Sequence, residues 1–130
     1  MLAHICEVLK DNKISISSLT LADTTDYGIL RLIIQDWQKA KKALETDGLV
    51  IKESDVIAVA VPDRPGGLYR ILKVLNDGNL NVEYMYGFSS FVEGKESIQI
   101  FRLNDIEKGI QVLTEAGVSI IGEEELFNGK

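Results

Sequence analysis

The chain has 130 residues, a net charge of −6, and hydrophobic and charged fractions of 45% and 26%, which are typical of a globular protein. The acidic balance argues against nucleic acid as a partner, because phosphate binding needs clustered Lys and Arg. No stretch approaches the ~18 uninterrupted apolar residues of a membrane span and no signal peptide opens the chain, so we expect a cytoplasmic protein without membrane contact. Cys6 is the single cysteine, which excludes an intrachain disulfide.

The sequence contains an internal repeat, and a repeat has to be recognised first because it determines the fold. Residues 2–11 align with residues 68–77, and residues 29–51 align with residues 98–120. Identical pairs in the second alignment include Asp36 and Asp105, Lys39 and Lys108, Leu44 and Leu113, and Gly48 and Gly117. Residues 56–66 have no counterpart in the first copy, because Met1 aligns with Gly67. We therefore expect two domains, residues 1–53 and residues 54–130.

The first copy is predicted to begin with a helix. Amphipathic spacing places this helix at residues 2–12, and alternation places strands at residues 14–22 and 27–34. A second helix runs from about Trp37 to Thr46, and residues 49–52 form a last strand. The order of this copy is therefore α-β-β-α-β.

The second copy begins with an additional strand. Residues 56–61 are mostly β-branched and apolar on both alternating faces, which is typical of a central strand. The helix that follows has an apolar stripe at the helical period, formed by Leu68, Ile71, Leu72 and Leu75. The remaining predicted elements are strands at 80–88 and 97–103 with a turn at 93–95, a helix that buries Ile106, Ile110 and Leu113, a strand at 118–121 and a short acidic tail.

The order β-α-β-β-α-β is that of the ferredoxin-like unit, in which four antiparallel strands carry two helices on one face. The fold class is therefore α+β, with two tandem ferredoxin-like units, the first lacking its N-terminal strand. That strand is central in such a sheet, so its loss exposes unpaired backbone groups and a strip of core. Three explanations stay open: a start placed at an internal Met or a truncated chain, a strand supplied by another chain or repeat, or a rearranged first copy.

The sheet face away from the helices is expected to be apolar. In the first copy, Leu30, Leu32 and Ile34 alternate with Ile29 and Ile33, so both sides of that strand are apolar, and residues 56–61 of the second copy behave likewise. Tyr84, Tyr86 and Phe88 form an aromatic line on one side of their strand. Contiguous apolar surface of this kind marks an interface. We therefore expect sheet-to-sheet contact between copies or chains, and a homo-oligomer such as a dimer.

The most distinctive local motif is the predicted strand–helix turn of the second copy, formed by Asp63, Arg64, Pro65, Gly66, Gly67 and Leu68. With Pro65 at the first helical position, the N–H groups of Gly66, Gly67 and Leu68 are expected to lack partners. Free N–H groups and the helix dipole favour a carboxylate, and glycines let a ligand approach the backbone. Asp63 is placed to bind an ammonium group, which completes the recognition of a free α-amino acid. The alternative is a tight turn that only ends a strand and starts a helix.

The element order, this turn and the Asn81-Val82 start of the next strand resemble the ACT domain, a small regulatory module that binds amino acids. The doubled arrangement, with the stretch at residues 22–31, is similar to stand-alone tandem ACT proteins. The resemblance implies a non-enzymatic protein without a cofactor, whose amino acid ligand lies between the turn of one unit and a strand start of its neighbour. By position, the implied ligand-binding residues are Asp63, Arg64, Pro65, Gly66, Gly67, Leu68 and Asn81, with Ser15 in place of Asn81 in the first copy.

The sequence gives less support to metal binding, to catalysis and to other functions. His4, the sole histidine, has no Cys or carboxylate at the spacing of a metal site, so no metal site is predicted. It lies on the same predicted helix as Cys6, so no catalytic pair of Cys and His is predicted either. Residues 123–125 are expected to be a solvated acidic tail or the start of a short helix. Two alternative functions stay open: a module that docks on a metabolic enzyme through its apolar sheet, and an acylphosphatase-like hydrolase using Arg64 and Asn81.

Overall fold

The structure is a computed structural model that describes residues 1–23, 28–88 and 97–128. The chain divides into two compact units, Met1–Glu53 and Ser54–Lys130. None of the helices in the described ranges combines the length and the apolar content that crossing a membrane requires. The predicted turn at residues 93–95 and Tyr27, the predicted start of a strand, lie outside the described residues.

The first unit contains two helices and a two-stranded sheet. Its elements are α1 (Leu2–Asp11), β1 (Ser18–Asp23), β2 (Gly28–Ile33) and α2 (Trp37–Thr46). Strands β1 and β2 are antiparallel, from Ser18 opposite Ile33 to Asp23 opposite Gly28. Apolar residues at the helical period meet those of the sheet in one core, whose buried members are Leu9, Ile14, Ile34, Ala40 and Leu44.

The second unit contains a four-stranded antiparallel sheet. Its elements are β3 (Ile57–Ala60), α3 (Gly67–Asp77), β4 (Val82–Gly87), β5 (Ile98–Leu103), α4 (Ile106–Glu115), β6 (Ile120–Ile121) and α5 (Glu123–Asn128). The strand order β4-β5-β3-β6 places the first strand of the unit between its third and fourth, as the ferredoxin-like topology requires. The predicted fold class is therefore confirmed. The buried core consists of Ile57, Val59, Val61, Ile71, Leu75, Leu80, Phe101, Leu103, Leu113 and Val118.

The first helix of each unit ends in the same backbone conformation. Lys13 and Asn79 are both left-handed, with φ of 59° and 58°. The next residue, Ile14 or Leu80, donates its N–H to the carbonyl five residues back at 2.9 Å in both units. This hydrogen bond satisfies a carbonyl at the helix end and turns the chain toward the sheet.

The second helix of each unit also ends in the same way. Gly48 and Gly117 are left-handed, with φ of 90° and 77°, a conformation that glycine adopts without steric cost. The residues after them, Leu49 and Val118, donate to the carbonyl five residues back at 3.1 and 3.0 Å. The repeat found in the sequence is therefore also a repeat of backbone geometry.

A side chain on the first helix of each unit contacts the residue that ends the second helix. In the first unit, His4 Nε2 lies 2.5 Å from Asp47 Oδ2. In the second unit, the Arg70 guanidinium donates to the Ala116 carbonyl at 2.6 Å. Asp47 and Ala116 are the C-cap residues of α2 and α4. His4, expected to be an ordinary helix residue, thus joins the two helices of its unit.

The last strand predicted for the first unit, at residues 49–52, is not a strand. Among the described residues of the second unit, β6 pairs only with β3, through Ala58 and Val59. The described part of the first unit has no strand equivalent to β3. Residues 49–52 therefore have no neighbour with which to form a ladder, although their sequence is suited to one.

One side-chain expectation for the second unit is wrong, and one is confirmed. Ile110, expected on the buried side of α4, is 41% exposed, because the buried face of that helix runs through Gly109 and Leu113. Residues 123–125 form the first turn of the short helix α5, in which Leu126 is buried. The alternative that they start a short helix is the one that the structure shows.

The outer sheet face of the second unit is apolar, as expected, and much of it is buried. The register places Ala58, Ile98, Ile100 and Ile121 on this face, and all four are buried. The rings of Tyr84 and Tyr86 stack along β4 with centroids 6.2 Å apart. The ring of Phe88, next on the same side, meets the ring of Phe127 edge-on at 6.3 Å, so α5 covers part of this face.

Candidate functional site

Short-range backbone hydrogen bonds form the turn between β3 and α3. The Arg64 N–H donates to the Pro62 carbonyl at 2.9 Å, and the Gly67 N–H donates to the Arg64 carbonyl at 3.0 Å. Gly66 is the N-cap with φ of 85°, and the helix begins at Gly67. Because the left-handed Gly66 interrupts helical geometry directly after Pro65, the predicted position of Pro65 in the first helical turn is wrong. The expectation of a free N–H at Gly67 is wrong as well.

The first turn of α3 has donors without a helical partner. The Gly66 carbonyl accepts the Arg70 N–H at 3.0 Å, which is the first hydrogen bond of the helix. The preceding N–H groups, of Leu68 and Tyr69, have no backbone acceptor among the described residues, and the N-cap residue Gly66 has no side chain with which to cap the helix. Together with the helix dipole, these donors favour an anion at this end of α3.

The other long helix of the same unit starts differently. Asp105 is the N-cap of α4, and its Oδ1 accepts the Lys108 N–H at 3.1 Å. A carboxylate of the protein thus occupies the place that a ligand carboxylate would take at α3. Gly66, the N-cap of α3, has no side chain to play this part.

The two glycines of the turn are required for different reasons. At Gly66 the requirement is conformational, because a φ of 85° is rarely adopted by other residues, while a Cβ there would meet nothing within 4 Å. At Gly67 the requirement is steric, because a Cβ would lie 2.2 Å from the Pro62 carbonyl oxygen. Only Gly66 therefore leaves open space for a ligand beside the backbone.

Most of the turn is in contact with solvent. Asp63, Arg64, Pro65 and Gly66 are exposed, whereas Leu68 is half-buried and packs against the core. Charged side chains of both signs are therefore close in sequence to the N–H donors of the first helical turn. An amino acid carries both charges as well, so this combination suits it.

Tyr69 is a residue of the site that the sequence patterns did not reveal. Its N–H is one of the two donors without a helical partner, and its side chain is 67% exposed. The signal that could have identified it is its place in the sequence, directly after Leu68 and off the apolar stripe of α3.

Asn81 lies at the other end of the sheet. Its N–H donates to Asn104 Oδ1 at 2.8 Å, and its carbonyl accepts the Asn104 N–H at 3.2 Å. The register places Val82 opposite the last residue of β5, whereas Ala60, just before the turn, lies opposite the first residue of β5. The structure therefore separates Asn81 from the turn within the second unit.

Ser15 has the place in the first unit that Asn81 has in the second. It is exposed and follows the buried Ile14, as Asn81 follows the buried Leu80. The first unit, in its described part, contains no counterpart of the turn before α3. Of the predicted site residues in the second unit, the structure thus brings together those of the turn and leaves Asn81 apart from it.

Metal coordination has no support in the described residues. Within residues 1–23, 28–88 and 97–128, no three or more His, Cys, Asp or Glu side chains are grouped so that they could hold a metal ion. The consecutive carboxylates of residues 123–125 lie in the first turn of α5. Acidic side chains are favourable at that end of a helix without any ligand.

Comparison with known proteins gives a family and a related structure. The model of the family described as "ACT domain pair" matches residues 1–129. Among solved structures, the chain is similar to the crystal structure of protein BT0572 from Bacteroides thetaiotaomicron, with 32% sequence identity and a TM-score of 0.88. The match covers 98% of this chain and 87% of that chain. A search of curated proteins found no match.

Proposed function

We propose that this chain, which belongs to the ACT domain pair family, is a regulatory protein that binds a free amino acid and catalyses no reaction. Regulatory ligand binding is the general property of the family, and the identity of the ligand as an amino acid is the specific part of the proposal. The fold shared with the family adds support but does not by itself define a ligand.

The observation that carries the proposal is the first turn of α3, in which the N–H groups of Leu68 and Tyr69 have no backbone acceptor among the described residues. The ligand α-carboxylate accepts hydrogen bonds from the N–H groups of Leu68 and Tyr69, and Gly66 leaves room for it. Hydrogen bonds to a charged group are worth about 1.5–3 kcal/mol each, which makes such a pair significant for a small ligand. Asp63, on the same turn, faces the ammonium group, while Arg64 and Pro65 shape the approach to the helix end.

The position of Asn81 supports a site shared between units. The turn and Asn81 lie at opposite ends of one sheet, so a ligand touches both only where two units run side by side in opposite directions. In that arrangement Asn81 or Ser15 of a second copy faces the turn. The proposal therefore includes a homo-oligomer, and a dimer is the smallest one that supplies both halves.

Binding between units also explains how such a protein regulates. A ligand held by two units stabilises the packing in which both contact it, and it acts only through its higher affinity for that packing. Coupling of this kind is typically worth about 1–3 kcal/mol.

The docking alternative requires a free apolar sheet face. In the second unit, Ile98 and Ile100 on that face are buried, and α5 covers another part of it through Phe127 and Phe88. This burial leaves less surface for a partner enzyme. Ligand binding at the turn is therefore the function that we prefer.

A thermal-shift screen of the twenty amino acids tests the proposal first. A ligand that binds only the folded state raises the melting temperature, by an amount equivalent to about 2.7 kcal/mol at 100 times its Kd. We expect a saturable rise with one amino acid or a few related ones, and none with the methyl ester of the same amino acid. The absence of any rise at millimolar concentrations would favour the docking alternative.

Two asparagine substitutions then locate the site by calorimetry. Gly66→Asn keeps a residue type that tolerates the left-handed conformation but adds a side chain beside the free donors. Gly117→Asn is the matched control, because Gly117 also has a positive φ and open space, at the end of α4. We expect Gly66→Asn to weaken binding by about tenfold or more, a change of ~1.4 kcal/mol, and Gly117→Asn to leave the affinity unchanged. Equal affinities for both variants would rule out the turn as the site.

A further inference from the structure

Asn104 holds the residue at the start of β4 through both its side chain and its backbone. Its Oδ1 accepts the Asn81 N–H at 2.8 Å, and its N–H donates to the Asn81 carbonyl at 3.2 Å. One residue thus binds both backbone polar groups of Asn81, with a side-chain carbonyl in place of the backbone carbonyl of a regular ladder. The side-chain amide of Asn81 has no hydrogen-bond partner among the described residues, so a ligand can bind it.

The residues on either side of Asn81 direct its side chain away from the core. Leu80 is buried in the core of the second unit, and Val82 packs against that core. Because successive side chains of an extended chain point to opposite sides, the side chain of Asn81 points outward. Leu80 is fixed in turn, since its N–H donates to the Leu75 carbonyl at 2.9 Å. The exposed Asn81 therefore follows an anchored residue and has its own backbone bound to Asn104.

An irregularity in β4 extends the strand pairing to this place. The register of β4 and β5 shifts between Val82 and Tyr84, so that β4 carries one extra residue there. The pairing thus reaches Val82, the residue directly after Asn81. In the first unit, β1 and β2 pair in a regular register that starts at Ser18, the residue that aligns with Tyr84. The described ladder of that unit therefore ends before it reaches Ser15.

The equivalent residues of the first unit do not form such a pair. Gln35 has the place of Asn104 in the repeat, and within the described ranges it makes no hydrogen bond with Ser15. Ser15 also lies between two core residues, Ile14 and Ile16, so the direction of its side chain does not distinguish the units. What distinguishes them is that the backbone is held in the second unit only.

We propose that Asn104 is a positioning residue of the amino acid site, and that the residue facing the turn is Asn81 of a second copy rather than Ser15. Asn104 fixes the backbone of Asn81 before the ligand arrives, so binding costs little further conformational entropy at this position. A ligand at Ser15 would have to fix the chain itself. This role of Asn104 rests on the proposed function and assigns the second half of the site to one residue.

Amide exchange in the protein without ligand tests the hydrogen bond to Asn104. We expect Asn104→Ala to make exchange at the Asn81 amide about fivefold faster, as the loss of one hydrogen bond of average strength predicts. Asn104→Asp keeps an acceptor oxygen at the same place and should leave this rate close to that of the wild type. Exchange at Leu80, whose acceptor is the Leu75 carbonyl, is the internal control and should stay unchanged. Equal rates at Asn81 in the wild type and in Asn104→Ala overturn the proposal.

Calorimetry on a double-mutant cycle then tests whether Asn104 acts through Asn81. The probe is whichever of the twenty amino acids raises the melting temperature most. We expect Asn81→Ala to weaken binding about tenfold and Asn104→Ala about fivefold, and Asn104→Asp to bind like the wild type. The double alanine variant should bind no more weakly than Asn81→Ala alone. Losses that add up in the double variant overturn the proposal, because Asn104 then acts independently of Asn81.

Further variants separate the failure of this role from the failure of the proposed function. Ser15→Ala is the matched control in the first unit and should keep the affinity of the wild type. A loss of affinity in Ser15→Ala but not in Asn81→Ala overturns the assignment to Asn81. If Gly66→Asn weakens binding while neither of these two variants does, the turn binds the amino acid and the role of Asn104 is refuted. If none of the twenty amino acids binds, the proposed function and this role fail together.

Discussion

Replacing Gly67 by alanine tests the geometry of the turn most directly. Alanine is better than glycine inside a helix by about 0.5–1 kcal/mol, so propensity alone predicts that Gly67→Ala stabilises α3. The structure predicts the opposite, because the new Cβ would lie 2.2 Å from the Pro62 carbonyl oxygen. Both partners in this clash are fixed to the backbone, so no rotation of a side chain relieves it.

The size of the effect follows from the displacement that the clash requires. A separation of 3.0 Å is the least that Cβ atoms normally show, so the turn and the start of α3 must move apart by 0.8 Å. Overpacking that shifts backbone costs typically about 1–3 kcal/mol. After the gain in helix propensity is subtracted, we expect a net loss of about 1–2 kcal/mol. In a small domain this corresponds to a fall in Tm of roughly 4–8 °C for each kcal/mol.

Urea unfolding followed by far-ultraviolet circular dichroism measures the loss, with Gly109→Ala as the control. A Cβ at Gly109 would lie 2.4 Å from Leu103 Cδ1, the mobile end of a side chain, and the equivalent residue in the first unit is Ala40. We therefore expect Gly109→Ala to cost less than Gly67→Ala. A Gly67→Ala chain that is as stable as the wild type would refute the steric argument.

Two further changes address the helix ends. Asp105→Ala removes the capping hydrogen bond of α4 and should lower the free energy of unfolding in urea by about 1 kcal/mol. Asp36→Ala, at an N-cap without such a hydrogen bond, should lower it by less. Equal losses of stability in the two variants would contradict the capping role of Asp105. Phe127→Ala removes the ring contact with Phe88 and should lower stability by about 0.5–1.5 kcal/mol beyond the lost burial. Amide exchange in α5 should then become faster while exchange in α4 stays the same, and unchanged exchange in α5 would argue against its docking on the sheet.

The features that were predictable from the sequence depend on local spacing. The helix predicted from Trp37 to Thr46 has those bounds in the structure, because its apolar residues keep the helical period and its ends are marked by turn residues. The four-stranded order of the second unit follows from the element sequence and from residues 56–61, which are apolar on both faces. These patterns involve residues that are close in the sequence, so they can be recognised in a single sequence.

The features that were not predictable depend on partners far along the chain or on backbone angles. Residues 49–52 have the composition of a strand, but whether they form one depends on a neighbouring strand and not on their own sequence. The start of α3 at Gly67 depends on the left-handed Gly66, and an adjacent proline and glycine permit more than one such turn. The separation of Asn81 from the turn follows from sheet register, which spacing in the sequence does not reveal.

The contact between the first and second helices has a consequence for how the two halves can diverge. In the first unit, His4 meets the side chain of Asp47, so both positions must change together if the contact is to survive. In the second unit, Arg70 meets the backbone carbonyl of Ala116, which any residue supplies. Aligned relatives should therefore show paired substitution at positions 4 and 47, and free variation at position 116 wherever position 70 keeps its arginine.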